Sequence, residues 1–276
     1  MRACARGTVS ALSTGPDGDL TPATELRSVA SPPLLRFALA RGRTTTAKAT
    51  ARGLVTAPTT AKATALALVA ILTCLACQAA PLTVARLKYG GGGDWYANPT
   101  GLPNLIKAVN ERTSIRLAAE PAVVEARSER IFDYPMLFVT GHGRIAFTPS
   151  ERENLRRYLE GGGFIHVDDN YGLDESLRAE MKQLFPQRRL VELPFSHPLY
   201  HCLYPFPGGL PKVHEHHGGP PHGYALVLKG RVALFYSYNT DINDGWEDAE
   251  VHNDPPEKHE AALRMGVNIV VYALTH

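Results

Sequence analysis

Between Pro211 and Tyr224 the chain reads PKVHEHHGGPPHGY, and four histidines and a glutamate fall within the nine positions 214–222. Imidazole and carboxylate donors together suit Zn, Mn, Fe or Ni. If the segment is extended, His214 and His216 point one way, while Glu215 and His217 point the other. No pair of these residues meets a zinc signature such as H-E-x-x-H, so the spacing assigns no ligand set. Two readings follow: the loop helps to hold a divalent metal, or its histidines hydrogen-bond and line a groove.

Three further stretches carry residues fit for chemistry. In FIHVDDN, a buried strand delivers His166, Asp168 and Asp169, and two adjacent carboxylates need a metal, an arginine or backbone N–H groups to offset their repulsion. GHG places His142 in a tight turn. GGGGDW allows close backbone approach to a ligand, with Asp94 and Trp95 in position to touch it, but it lacks the Lys-Ser/Thr of a phosphate loop. A fourth stretch, NTDINDGWED, falls one residue short of a calcium-loop pattern and reads as an ordered polar loop with Trp246 packed inward.

The elements that must position these residues alternate. LTVARLKY, AVVEA, YPMLFV, FIHVDD and RLVELP read as strands. Helical spacing marks GLPNLIKAVNERT, TPSERENLRRYLE and LDESLRAEMKQLF, the second opened by Thr148 as cap with Glu151 completing a capping box. Asp254 is expected to cap a last helix begun by Pro255 and Pro256. YALVLKGRVALFYSY reads as a hairpin turning at Lys229-Gly230, appended to the sheet. The pattern implies a single α/β domain, three layers with helices on both faces of a mainly parallel sheet and an added antiparallel hairpin. In such sheets ligands bind beyond the carboxyl ends of the strands, where Asp94, His142 and Asp168 would lie.

The start of the chain differs in composition. Residues 1–62 hold nine Lys/Arg against three Asp/Glu and few periodic apolar positions, and read as a disordered low-complexity tail. The remaining residues hold 20 against 24, with no basic stripe for a phosphate backbone, so nucleic acid is not an expected partner. Lys62 precedes an uncharged apolar run, Ala65 to Cys77, and a small-residue exit. Residues 63–80 therefore read as a signal peptide or membrane anchor, which would make the protein exported, periplasmic or membrane-attached. Cys4, Cys74, Cys77 and Cys202 are the cysteines; after cleavage following Ala79 only Cys202 remains.

GGGGDWY, TGHG, GGGFIHVDDNYG, PFSHPLYH, PKVHEH, DGWED and HNDPPEKHEAALRMGVNIVVYAL together resemble the bacterial family called domain of unknown function 4159, across residues 82–276. More distantly the chain resembles the class I glutamine amidotransferase-like superfamily, including its trehalose-utilisation-like branch. That likeness implies a flavodoxin-like sandwich whose former active-site edge carries His166, Asp168 and Asp169. Where such an enzyme needs a cysteine this chain has FIHVDD, so cysteine-dependent glutaminase chemistry is not expected.

Two functions fit these residues. The first is a non-catalytic envelope domain binding a small molecule or protein segment in a groove lined by Trp95, His142, Asp168, Asp169 and the histidine loop. The second is a metal-assisted, hydrolase-like enzyme with Asp168 or Asp169 as base or ligand and His142 or His216 as proton carrier. Either way the 211–224 loop should fold over the strand ends that carry His142 and Asp168. Fused to a reporter that works only outside the cytoplasm, residues 62–80 should give activity, and arginine at Leu68 and Leu72 should abolish it. A reporter retained in the cytoplasm would overturn the export assignment.

Overall fold

The computed structural model describes residues 80–276 except Glu215 and His217. The tail assigned to residues 1–62 and all of the apolar segment 63–80 but Ala80 lie outside the described residues. No helix among those described is long and apolar enough to cross a membrane.

Among the described residues, seven strands form one sheet in the order β2-β1-β3-β4-β7-β6-β5. They are β1 (Val84–Lys88), β2 (Ala122–Glu125), β3 (Met136–Val139), β4 (Phe164–Asp168), β5 (Val191–Glu192), β6 (His222–Leu228) and β7 (Arg231–Tyr238). β1, β2, β3, β4 and β7 are mutually parallel, and β6 pairs antiparallel with β7 and β5. The α/β sandwich read from the sequence is thus the fold.

Alternation along the central strands makes the two cores. Met136, Phe138 and Phe164 face one layer, formed by α1 (Gly101–Arg112) and α5 (Pro256–Thr275). Leu137, Val139, Ile165 and Val167 face the other, formed by α2 (Pro149–Glu160) and α3 (Asp174–Leu184). Both faces of these strands are covered, which is why β3 is apolar throughout and β4 carries polar groups only at His166 and Asp168. The capping box at Thr148 and Glu151 forms as the sequence implies.

The hairpin turns where expected, with Lys229 and Gly230 both at positive φ, as a two-residue turn of type I′ requires. It is added to the parallel strands through β7, which lies beside and parallel to β4, with Asp168 opposite Ser237. The carboxyl end of β7 therefore opens onto the same edge as those of β1, β3 and β4, and β6 begins there. The 211–221 connection and the 239–248 segment are both brought to that edge.

Asp254 differs from the sequence reading. Pro255 occupies the N-cap of α5 without a side-chain cap bond. The Asp254 carboxylate turns instead to His214.

Trp246 anchors the segment after β7. It lies in a 3-10 turn, Asp244–Trp246, and is fully buried. Its ring packs 5.5 Å from Phe138 and 5.8 Å from His166, and its Nε1–H donates to the Ala262 carbonyl at 2.8 Å. Trp246→Ala should cost about 3–5 kcal/mol in urea unfolding, through lost burial and the cavity left behind. A loss below about 1 kcal/mol would show that this turn is not held by the core.

Candidate functional site

The first wall of the site comes from the loops after β1 and β3. Arg86, buried in β1, donates to the carbonyls of Trp95, Ala97 and Asn98 and so fixes the glycine-rich loop from beneath. Gly93 and Asp94 then bond the carbonyls of Arg144 and His142. Gly141 sits at positive φ, and a Cβ there would collide with the Tyr89 hydroxyl, so only glycine fits. The Asp94 carboxylate accepts the backbone N–H of His142 and also faces its ring Nδ1 at 3.1 Å. That orients the imidazole and leaves its Nε2 on an exposed side chain.

The second wall follows β4. Asp168, wholly buried, accepts from Ser237 Oγ at 2.6 Å and from the Asn243 N–H at 2.9 Å. Burial pushes its carboxyl up to about 7, with Asp244 and Asp169 adding to the rise and the two hydrogen bonds opposing it. Asp169 accepts from the Leu173 N–H at 3.0 Å and from the Tyr236 hydroxyl at 2.9 Å, fixing the turn into α3. The pair thus braces the strand end. His166 is not a groove residue: it is fully buried among Phe138, Phe235 and Trp246, and burial drives its imidazole down to about 3, so it is neutral. Its Nε2 meets Ser237 Oγ at 2.9 Å, which places it behind Asp168.

The third wall follows β7. Asp241 has a positive φ, a left-handed conformation that aspartate tolerates better than most residues. Asp244 is the hub. Its Oδ1 accepts from the side-chain amides of Asn98 and Asn170, and Asn170 also accepts from Thr140 Oγ1 at 2.7 Å. One carboxylate therefore ties together the ends of β1, β3, β4 and β7. Glu247 accepts the Thr100 N–H at 2.9 Å and the Gly101 N–H at 3.3 Å. Its charge is well placed there, at the start of α1.

The histidine loop closes over this edge. Val213 and His214 donate their N–H groups to the Thr240 carbonyl, and Val213 and Leu210 are buried as anchors. Tyr200, earlier in the same connection, is buried too, but Leu203 is 44% exposed. His216 Nε2 lies 2.9 Å from Asp241 Oδ2, and its ring is 5.3 Å from that of Tyr171, whose backbone bridges to His142. His214 Nδ1 is 2.8 Å from Asp244 Oδ2 and its Nε2 is 3.1 Å from Asp254 Oδ1. Glu215 and His217 lie outside the described residues. Trp95 is half-buried, with Lys88 5.8 Å over its ring.

His252, in the short α4 (Ala249–His252), completes the cluster, with Nε2 3.9 Å from Asp244 Oδ2 and 3.8 Å from Glu247 Oε2. Among the described residues, two groups have donor atoms mutually within 4.8 Å: His214, Asp244 and His252, and His216, Asp241 and Asp244. The converging residues come from the stretches GGGGDWYAN, TGHG, HVDDN, PKVHEH, NTDINDGWED and VHNDPP. The chain belongs to the family described as Domain of unknown function (DUF4159), whose profile matches residues 83–274. No curated protein matches the chain.

The DUF4159 site differs from the sequence reading in its centre. Asp241, Asp244 and Glu247 enter the sequence reading only within NTDINDGWED, a near miss to a calcium loop, and Asp254 only as a helix cap; neither they nor His252 are among its candidate site residues. The available signal is the run of Asn and Asp immediately after the last strand, at the edge where α/β sheets bind ligands.

Burial pushes the Asp241 carboxyl up to about 9, reinforced by Asp168, Asp244 and Asp169 and opposed by Lys212. An ordinary aspartate titrates near 3.8. Between those values the folded state holds a proton that the unfolded state has released. The contribution to stability is therefore full below the lower value and is lost as pH rises through about 9. In metal-free protein, Asp241→Asn should lose less stability than the parent between about pH 5 and about pH 9, by up to about 1.4 kcal/mol per pH unit. Identical pH profiles in denaturant melts would contradict the assignment.

Proposed function

We propose that the DUF4159 domain is a cell-envelope binding domain whose groove at the strand carboxyl ends holds a small polar ligand. The observation that carries this reading is the row of imidazoles along one edge, each facing a carboxylate: His142 on Asp94, His216 on Asp241 and His214 between Asp244 and Asp254. Such pairs fix ring orientation before a ligand arrives, so little ordering is left for binding to offset. Exposed Tyr171 and Tyr96 give that edge flat apolar surface beside its polar groups. The envelope location rests on the signal-like segment 63–80.

The class I glutamine amidotransferase-like resemblance enters this reading as a likeness of frame, without cysteine chemistry. Cys202 donates its thiol to the Asn268 carbonyl at 3.1 Å, and burial pushes its thiol up, away from the thiolate a nucleophile requires. Metal-assisted hydrolysis is a second reading, favoured by one observation. Asp94 orients His142 as carboxylates orient general bases, with the far ring nitrogen outward.

A library of hydroxy acids, amino acids, monosaccharides and simple esters, screened against the histidine ring signals by NMR, tests both. Hits should move His142 and His216 and disappear in His142→Ala or His216→Ala. Responses confined to other histidines, or none, would contradict a binding edge. Turnover of an ester, lost in His142→Ala, would decide for hydrolysis.

A further inference from the structure

His214 presents both ring nitrogens to carboxylate oxygens, Nδ1 to Asp244 at 2.8 Å and Nε2 to Asp254 at 3.1 Å. A neutral imidazole has one N–H. If Nε2–H donates to Asp254, the Nδ1 lone pair faces the Asp244 oxygen, and two lone pairs at that distance repel unless a second proton or a metal ion lies between them. The same oxygen also meets a second imidazole, His252, whose Nε2 is buried with no hydrogen-bond partner among the described residues. Asp244 Oδ1 is already held by two amides, so Oδ2 is the oxygen turned to both rings.

We propose that His214 Nδ1, Asp244 Oδ2 and His252 Nε2 bind one divalent first-row transition ion, of which Zn²⁺ is the test case. The inference rests on the binding-edge reading and names the cofactor of that edge. The distances suit it. Donors held at about 2.0–2.2 Å by a tetrahedral ion stand roughly 3.4 Å apart. The two separations to Asp244 Oδ2, 2.8 and 3.9 Å, bracket that value.

The surroundings are those of a metal centre. Asp254 backs His214, Glu247 lies beside His252 at 3.8 Å, and Asn98 and Asn170 hold the Asp244 carboxylate. His214 and Asp244 thus have outer partners that fix their orientation, while Glu247 stands on the Nε2 side of His252, close to the ion's place. Two histidines and one carboxylate leave positions for water or a ligand oxygen. A separate observation points to a cation. The Asp241 carboxylate is only 3% exposed, faces the same cluster, and has an oxygen, Oδ1, with no hydrogen-bond partner among the described residues. Its position beside Asp168, Asp169 and Asp244 concentrates negative charge where a divalent ion would offset it.

Equilibrium dialysis of the full chain against Zn²⁺, with metal analysis, should give one equivalent bound. His252→Ala should weaken binding at least about tenfold, Asp254→Asn by about tenfold, and His259→Ala, on α5, not at all. His252 is partly exposed on a four-residue helix, so its variant should stay folded, which circular dichroism would check. In the parent, Zn²⁺ should protect His214 and His252 from diethyl pyrocarbonate. Binding that survives unchanged in His252→Ala, protection confined to other histidines, or no uptake would overturn the centre. Fragment binding by a chain that takes up no Zn²⁺ would remove the metal and leave the binding edge standing.

Discussion

The carboxylates of Asp168, Asp169, Asp241 and Asp244 are buried at one edge of a sheet, and the rest of that edge is arranged around their mutual repulsion. Charge of one sign in a poorly solvated place is tolerated only when it is protonated, hydrogen-bonded or paired. Asp168 and Asp169 are satisfied from within, by Ser237, the Asn243 backbone, Leu173 and Tyr236. Asp244 takes two side-chain amides on one oxygen and a histidine on the other. Asp241 has His216 on one oxygen and, among the described residues, no hydrogen-bond partner on the other. Satisfaction therefore declines from the strand ends outward, and the histidine loop lies where it is least complete.

That gradient separates framework from site. The interior pair makes the ends of β4 and β7 rigid, with neutral His166 behind them as part of the core. The outer pair faces imidazoles that a ligand or ion can engage. Asp244 joins the two regions, because its amide partners Asn98 and Asn170 stand on the loops after β1 and β4. A change in what occupies its outer oxygen would be felt along those loops.

Much of this frame is legible in residue order. Apolar runs such as MLFV and FIHV declare strands covered on both faces, Thr148 with Glu151 declares a helix start, and Lys229-Gly230 a hairpin turn. That the hairpin joins the sheet is legible, but nothing in YALVLKGRVALFYSY says that its second strand lies parallel to β4. That ambiguity hides the site's centre: once β7 is parallel to β4, Asp241 and Asp244 must emerge beside Asp168. Asp254 shows the same limit. An acidic residue before Pro-Pro fits a helix cap by local rules, yet His214, far along the chain, competes for it and wins. His166 and Asp168, separated by two, share one side of the strand, so sequence alone could not tell the core residue from the one at the edge.

The central claim is that these buried carboxylates are short of positive charge in the metal-free protein. Carbon-detected NMR titration of the aspartate carboxyls tests it directly. The account places Asp168 near 7 and Asp241 near 9, with both resonances responding when Zn²⁺ is added. Two ordinary carboxylates titrating close to 4 and indifferent to Zn²⁺ would contradict it.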